Sequence, residues 1–465
     1  MTISTHSPRR RRRPAPVDKA AQAPTPRRPA SAAPVPVPAL PAVAPAAASP
    51  GPAASFHQLS LHPALLTVLS GQGLHTPSAI QAATLPDAVA GRDVLGRART
   101  GSGKTLAFGL AVLTRLAGRR AAPRQPLALV LVPTRELASQ VTAALEPYGA
   151  AVGLRIAGVV GGAALRPQAE ALRRGVEVLV ATPGRLNDLV ERGDCRLDGV
   201  VVSVLDEADQ MADMGFLPQV SRLLVGTAPA GQRMLFSATL DGQVDRLVRR
   251  FLTDPVRHCV DPPAAAVTTL EHHVLHVELA EKLSVAAHIG ARDGRVIMFV
   301  GTKHRADRLT RHLLTSGVPA AALHGGKSQP QRTRTLDRFR AGQVNALVAT
   351  DLAARGIHVD DLDLVVNVDP PADAKDYLHR AGRTARAGRT GTVVTLVLPE
   401  QRRDATQLLT AAGVTARASR TGAGDAALSR VTGARTPSGI PCPAPTPGTP
   451  AGVPGASSRR RGRRR

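Results

Sequence analysis

Two tandem α/β domains, each a parallel sheet covered by helices on both faces, are predicted by three features of this 465-residue chain. Short apolar runs rich in β-formers alternate with helix-like stretches, and the alternation runs twice. The length exceeds what one hydrophobic core usually organises. Between the two series stand Thr253-Asp254-Pro255 and Asp261-Pro262-Pro263, followed by alanines, which is turn and linker chemistry and sets a boundary near 262. Candidate strands of the first series are 127–132, 176–181, 200–205 and 233–236; those of the second are 296–300, 321–323, 346–349, 364–368 and 391–397. The expected domains are 55–262 and 263–418, between tails 1–54 and 419–465. No short-period repeat interrupts the plan.

The tails explain much of the charge. Residues 1–53 carry seven Arg and one Lys against one Asp, and residues 417–465 carry ten Arg against one Asp, so +7 and +9 of the formal +25 lie at the two ends. Both ends are crowded with Pro, Ala and Gly and hold too few large apolar side chains to offset chain entropy, so they are expected to be disordered. The runs Arg9 to Arg13 and Arg459 to Arg465 suit a polyanion, because neutralising phosphates releases counterions without requiring a fold. Cys195, Cys259 and Cys442 lie far apart without metal-ligand spacing, which supports neither a disulfide framework nor a zinc site and points to a reducing compartment. No apolar run approaches a membrane span and no signal-peptide core follows the first arginines, so a soluble, cytoplasmic protein is the expectation.

The chemistry of the first domain is spelled by Ala98-Arg99-Thr100-Gly101-Ser102-Gly103-Lys104-Thr105. A backbone loop through Gly101 and Gly103 can point its N–H groups at a triphosphate, Lys104 can reach the β and γ phosphates, and the Thr105 hydroxyl can ligate Mg²⁺. Further on, Val200-Val201-Val202-Ser203-Val204 reads as a buried strand, so the carboxylates of Leu205-Asp206-Glu207-Ala208-Asp209 emerge at its C-terminal end. Asp206 is then placed to hold the metal. Loop and acidic strand end together indicate a nucleotide hydrolase using ATP and Mg²⁺.

The remaining motifs resemble, in order, those of the DEAD-box RNA helicases of superfamily 2, and Asp206 to Asp209 spell that family's name. The resemblance covers roughly residues 55–400 and implies two RecA-like domains that close over ATP–Mg²⁺ on one side of a cleft and one RNA strand on the other. Thr76-Pro77-Ser78-Ala79-Ile80-Gln81 is similar to the family's adenine-reading motif, with Phe56 as its upstream aromatic; the Gln81 amide can match the adenine edge. Leu74 stands where the family commonly has an aromatic. Pro133-Thr134-Arg135, Gly161-Gly162 and Thr182-Pro183-Gly184-Arg185 resemble RNA-backbone motifs, as do Thr302, Gln329 with Arg332, and Thr350 with Arg355-Gly356 in the second domain. Hydroxyls, arginines and backbone amides reach phosphates and 2′-hydroxyls, and with aromatics at only 2% of the chain and no tryptophan, recognition indifferent to base sequence is implied. Ser237-Ala238-Thr239 resembles the motif coupling hydrolysis to strand separation, a group to which Asp209 and His379 also belong.

In the last motif, His379-Arg380-Ala381-Gly382-Arg383-Thr384-Ala385-Arg386, the resemblance makes Arg383 and Arg386 the arginine fingers that stabilise charge on the transferring phosphoryl group. It likewise implies a water held near Glu207. After Gly356-Ile357 the family usually has Asp, and this chain has His358. Two other readings stay open: an arginine-tailed RNA annealer or clamp timed by ATPase, and a DNA-directed translocase of the same superfamily. A monomer working with ribosomal or RNA-decay assemblies is the expected setting. Removing residues 1–53 and 419–465 is expected to flatten the salt dependence of RNA affinity while basal ATPase survives; an unchanged slope of log affinity against log salt would show that the tails do not touch RNA.

Overall fold

The computed structural model describes residues 55–98, 101–240, 242–260, 270–354, 362–384 and 390–443. The first sheet contains β1 (Val94–Arg97), β2 (Ala128–Leu131), β3 (Ile156–Val159), β4 (Val178–Ala181), β5 (Val202–Asp206), β6 (Gln232–Ser237) and β7 (Val256–Cys259), in the order β3-β4-β2-β5-β6-β1-β7. The second contains β8 (Leu270–His276), β9 (Val296–Phe299), β10 (Ala320–Leu323), β11 (Ala346–Ala349), β12 (Leu364–Asn367), β13 (Gly391–Val397) and β14 (Arg417–Arg420), in the order β10-β11-β9-β12-β13-β8-β14. All the strand pairings are parallel, with Val130 opposite Val180 and Val204 in the first sheet and Ile297 opposite Leu347 and Val365 in the second.

The uninterrupted apolar sequence of the central strands follows from burial on both faces. In β2, Ala128 and Val130 enter one core layer while Leu129 and Leu131 enter the other. Val296 and Met298 of β9 likewise oppose Ile297 and Phe299. Strand order then decides what meets at the carboxyl edge. Because β5, β6 and β1 are neighbours, the loop after β1, the carboxylates ending β5 and Ser237 ending β6 leave the sheet side by side. The segments after β2, β3 and β4, which carry Thr134, Gly161 and Thr182, occupy the other half of that edge.

Five strands escape a search for apolar runs: β1, β3, β7, β8 and β14. Three of them are edge strands, where one face or one ladder meets solvent and polar residues are tolerated; β7 reads Val-Arg-His-Cys and β14 reads Arg-Ala-Ser-Arg. β8 carries three histidines, of which His272 is buried and hydrogen-bonded through Nδ1 to the Tyr377 hydroxyl at 2.8 Å.

The expected second boundary at 418 is corrected by β14 and by the segment after it. β14 pairs with β8, and the helix Ala426–Thr432 packs on the helix Lys282–Gly290 and β13, burying Leu428 completely. The chain then turns back as a strap: Arg435 N–H donates to His288 O (3.0 Å), Gly439 N–H to Ser316 O (3.0 Å) and Cys442 N–H to Leu314 O (2.9 Å). Gly317 (φ 88°) lies beneath it, where a Cβ would collide with Ser438 Oγ. Composition misplaced this segment because Leu428, Ala434, the partly buried Val431 and backbone hydrogen bonds, rather than many large apolar side chains, anchor it. The second domain therefore extends to at least residue 443; the expected tail 1–54 and residues 444–465 of the expected tail 419–465 lie outside the described residues. With no tryptophan in the chain, circular dichroism in urea is the measurement that checks this. A chain ending at 443 is expected to unfold like the full chain, whereas one ending at 418 loses about 2 to 4 kcal/mol.

Candidate active site

The loop after β1 owes its shape to left-handed glycines, Gly101 at φ 85° and Gly103 at φ 94°, before the helix Lys104–Leu116 begins. A Cβ on Gly103 would lie 2.5 Å from Gln81 Nε2 and 2.8 Å from Ser78 Oγ. Those groups brace the loop: Ser78 Oγ donates to Ser102 O (2.8 Å) and the Gln81 amide donates to Gly103 O (3.0 Å). Gln81 Oε1 accepts from Ser78 N–H at 2.8 Å. Gln81, expected to read adenine, thus uses its amide on the loop and on its own helix start. Phe56, expected at the nucleotide, is 3% exposed in the core of the first domain, and Leu74 is exposed. Lys104 is buried and donates through Nζ to Ala98 O at 3.1 Å, while Thr105 is half-buried. Arg99 and Thr100 lie outside the described residues.

Beside the loop, Asp206, Glu207 and Asp209 are all buried. Glu207 adopts φ 52°, ψ 51°, a left-handed conformation costly for a side-chain-bearing residue, and its N–H donates to Asp206 Oδ1 at 3.0 Å. Burial and the neighbouring Asp206 push the Glu207 carboxyl up to about 7, opposed by Lys104 and Arg383, and its Oε2 has no hydrogen-bond partner. Burial also raises Asp206, against the pull of Lys104. Asp209 falls below the usual carboxylate range: burial opposes this, but Lys104, His379 and hydrogen bonds from Thr239 win. Thr239 donates to Asp209 Oδ2 from both N (2.9 Å) and Oγ1 (3.0 Å), and Asp209 N–H donates to Ser237 Oγ at 3.2 Å. Ser237, Ala238 and Thr239 thereby tie β6 to the acidic strand end.

The cations facing this cluster from the second domain sit on and just after the helix Ala374–Ala381. His379 acts on Asp209 and Arg383 on Glu207. Arg386 and His358 lie outside the described residues. Arg380, absent from the sequence-derived set although it lies in the same motif, is the buried anchor of that helix. Its guanidinium binds both Asp351 oxygens (2.6 and 2.8 Å), Asn367 Oδ1 (3.0 Å) and Asp369 O (2.8 Å), over the Phe299 ring.

On the other half of the first sheet's edge, Pro133 precedes Thr134, whose Oγ1 accepts from Leu137 N–H at 3.2 Å and caps the helix Arg135–Ala151. The Arg135 guanidinium lies against Gly161 and Gly162, where a side chain on Gly162 would collide with it. Thr182 and Pro183 open the helix Pro183–Glu191, Gly184 is exposed, and Arg185 donates to Ala163 O at 3.0 Å. These three motifs therefore share one face. In the second domain Thr302 is exposed and caps the helix Lys303–Thr315, and Thr350 is half-buried. Arg355 and Gly356 lie outside the described residues.

Gln329 and Arg332, expected at RNA, also link the two domains. Both reach across to buried Glu136, through Gln329 Nε2 at 3.0 Å and Arg332 Nε at 2.8 Å. Glu136 carried a sequence signal that was missed, since a carboxylate inside a phosphate-reading motif calls for a cation of its own. Asp213 and Lys375 form another pair between the domains, at 2.7 Å.

A model of the DEAD/DEAH box helicase family matches residues 78–247, and one of the helicase conserved C-terminal domain matches 278–388. The chain is 39% identical over 367 residues to a pre-mRNA-processing ATP-dependent RNA helicase prp5 of Aspergillus terreus, covering 76% of this chain and 31% of that protein. It is 38% identical over 369 residues to the ATP-dependent RNA helicase DBP2 of Gibberella zeae, covering 77% of this chain and 66% of that one. The chain thus spans about a third of the length of the prp5 relatives it matches. Among solved structures, S. cerevisiae Dbp5 bound to RNA and ADP BeF3 superposes with a TM-score of 0.71 at 28% identity, covering 82% of this chain and all of that one. The chain belongs to the DEAD-box helicases, the family whose name its residues 206 to 209 spell.

Proposed function

We propose that the protein is an RNA-stimulated ATPase that clamps and locally unwinds RNA, or remodels RNA–protein assemblies, by closing its two domains over nucleotide and one RNA strand. The observation that carries this reading is the cleft itself. Lys104, Asp206 and Glu207 come from one domain, Arg383 comes from the other, and the backbone-reading motifs share the same sheet edge. Either ligand then favours closure and so favours the other, because half of each site lies on each domain.

The donor set fits Mg²⁺. Among the described residues no group of three or more His, Cys, Asp or Glu could hold a metal, which excludes an all-protein cage there and suits an ion that takes one or two protein oxygens plus phosphates and water. Asp206 and Thr105 would hold it, and it would neutralise phosphate charge. Lys104 would exchange Ala98 O for phosphate oxygens. Glu207, with its free Oε2, orients the attacking water and accepts its proton, and its raised basicity suits that task near neutral pH. Arg383, joined by Arg386, opposes the charge that develops on the transferring group.

Arg135, Arg185 and the hydroxyls of Thr134, Thr182 and Thr302 contact phosphates and 2′-hydroxyls, which favours RNA over DNA and leaves base sequence unread. A monomer in a reducing, cytoplasmic setting, acting on ribosomal or RNA-decay assemblies, suits three cysteines far apart in sequence and the basic ends.

Three substitutions test the reading in steady-state ATPase and RNA-retention assays. Lys104→Ala should raise KM for ATP. Glu207→Gln should lower turnover at least about 100-fold while RNA stays bound in the presence of ATP, and Arg383→Ala should lower kcat by about 10³ with little change in KM. Normal RNA-stimulated turnover in Glu207→Gln would overturn the assignment. Because the base must be ionised and its carboxyl is pushed up to about 7, kcat of the wild type should fall as pH drops from 8 to 6. Equal stimulation by RNA and DNA of one sequence would instead favour a DNA-directed enzyme.

A further inference from the structure

The pair formed by Asp213 and Lys375 lies outside the nucleotide chemistry, yet it is in register with it. Asp209 and Asp213 stand four residues apart on the helix Ala208–Asp213, and Lys375 and His379 stand four apart on the helix Ala374–Ala381. Side chains at that spacing share a helix face. Asp209 faces His379 and Asp213 meets Lys375, so the two helices oppose each other in antiparallel register with two rungs, one within the site and one beyond it.

The placement of the outer rung disfavours each domain by itself. Asp213 is the last residue of its helix, where the dipole disfavours an anion, and Lys375 is the second residue of its helix, where it disfavours a cation. The start of that second helix is capped by Asp373, which accepts from Asp376 N–H at 2.8 Å. Each charge finds compensation across the cleft, at 2.7 Å and with side chains only 23% and 28% exposed.

We propose that Asp213 and Lys375 are positioning residues: a closure latch that seats the helix carrying His379, and with it Arg383, against the acidic strand end. The latch biases the domains toward the closed, catalytically competent arrangement without touching nucleotide or RNA. This rests on the reading of the protein as a closing, RNA-stimulated ATPase.

Charge reversal and exchange in the full chain test it, with circular dichroism melting to establish that each variant folds. RNA-stimulated kcat/KM for ATP and the closed fraction, read by energy transfer between dyes on the two domains, are compared for wild type, Asp213→Lys, Lys375→Asp and the double exchange. Each single reversal should lower kcat/KM about 5-fold or more at 50 mM KCl and lower the closed fraction, with the deficit shrinking at 500 mM KCl as charges are screened. The double exchange, which also suits both helix dipoles, should return both readouts to within about twofold of wild type. A double exchange as impaired as the singles, or single reversals equal to wild type, would overturn the latch. A wild type whose ATPase ignores RNA would instead count against the reading beneath it, while closure by ATP alone would still score the latch.

Discussion

Three carboxylates within four residues at the buried end of one strand make a cluster that cannot remain ionised without cations brought to it. Asp206, Glu207 and Asp209 impose that condition, and much of the rest of the cleft answers it. Lys104 arrives from the phosphate loop because β1 lies one strand beyond β6, which itself borders β5. His379 and Arg383 come from the second domain. Electrostatic demand in one domain is thus met in part by the other.

The cluster is held by strain as well as by charge. Glu207 keeps a left-handed backbone because Asp206 accepts its N–H and because Asp209, two residues on, is fixed by three contacts with Ser237 and Thr239. The loop opposite is equally constrained, since Gly103 must fit under Gln81 and Ser78. Such local costs persist only where the surroundings over-determine them, and they leave the reacting groups preorganised.

Within the second domain a buried polar network gives the helix Ala374–Ala381 its fixed seat. Arg380 joins Asp351, Asn367 and the carbonyl of Asp369. The Asp369 carboxylate in turn binds Lys282 at 2.9 Å, Arg305 at 3.0 Å and Gly301 N–H at 3.0 Å. The loop bearing Thr302, the segment after Thr350 and the helix bearing His379 are therefore joined by one buried polar network.

Much of this was legible in the chain. Apolar runs marked the central strands, because strands buried on both faces must be apolar throughout, and the phosphate loop and acidic strand end announced their chemistry by residue type. Edge strands and the strap to residue 443 were not legible, because one ladder of backbone hydrogen bonds and a few small or partly buried side chains around Leu428 leave little compositional trace. The sequence by itself determined which residue types the proposed chemistry rests on, in Lys104, Asp206, Glu207 and Arg383. Tertiary structure alone decided partnership: that Gln81 braces Gly103, that Glu136 takes Gln329 and Arg332, and that Asp213 meets Lys375. The physical reason is separation along the chain, 162 residues in the last case. No local rule relates residues so far apart, and only strand order and contact between the two domains bring them within hydrogen-bond reach.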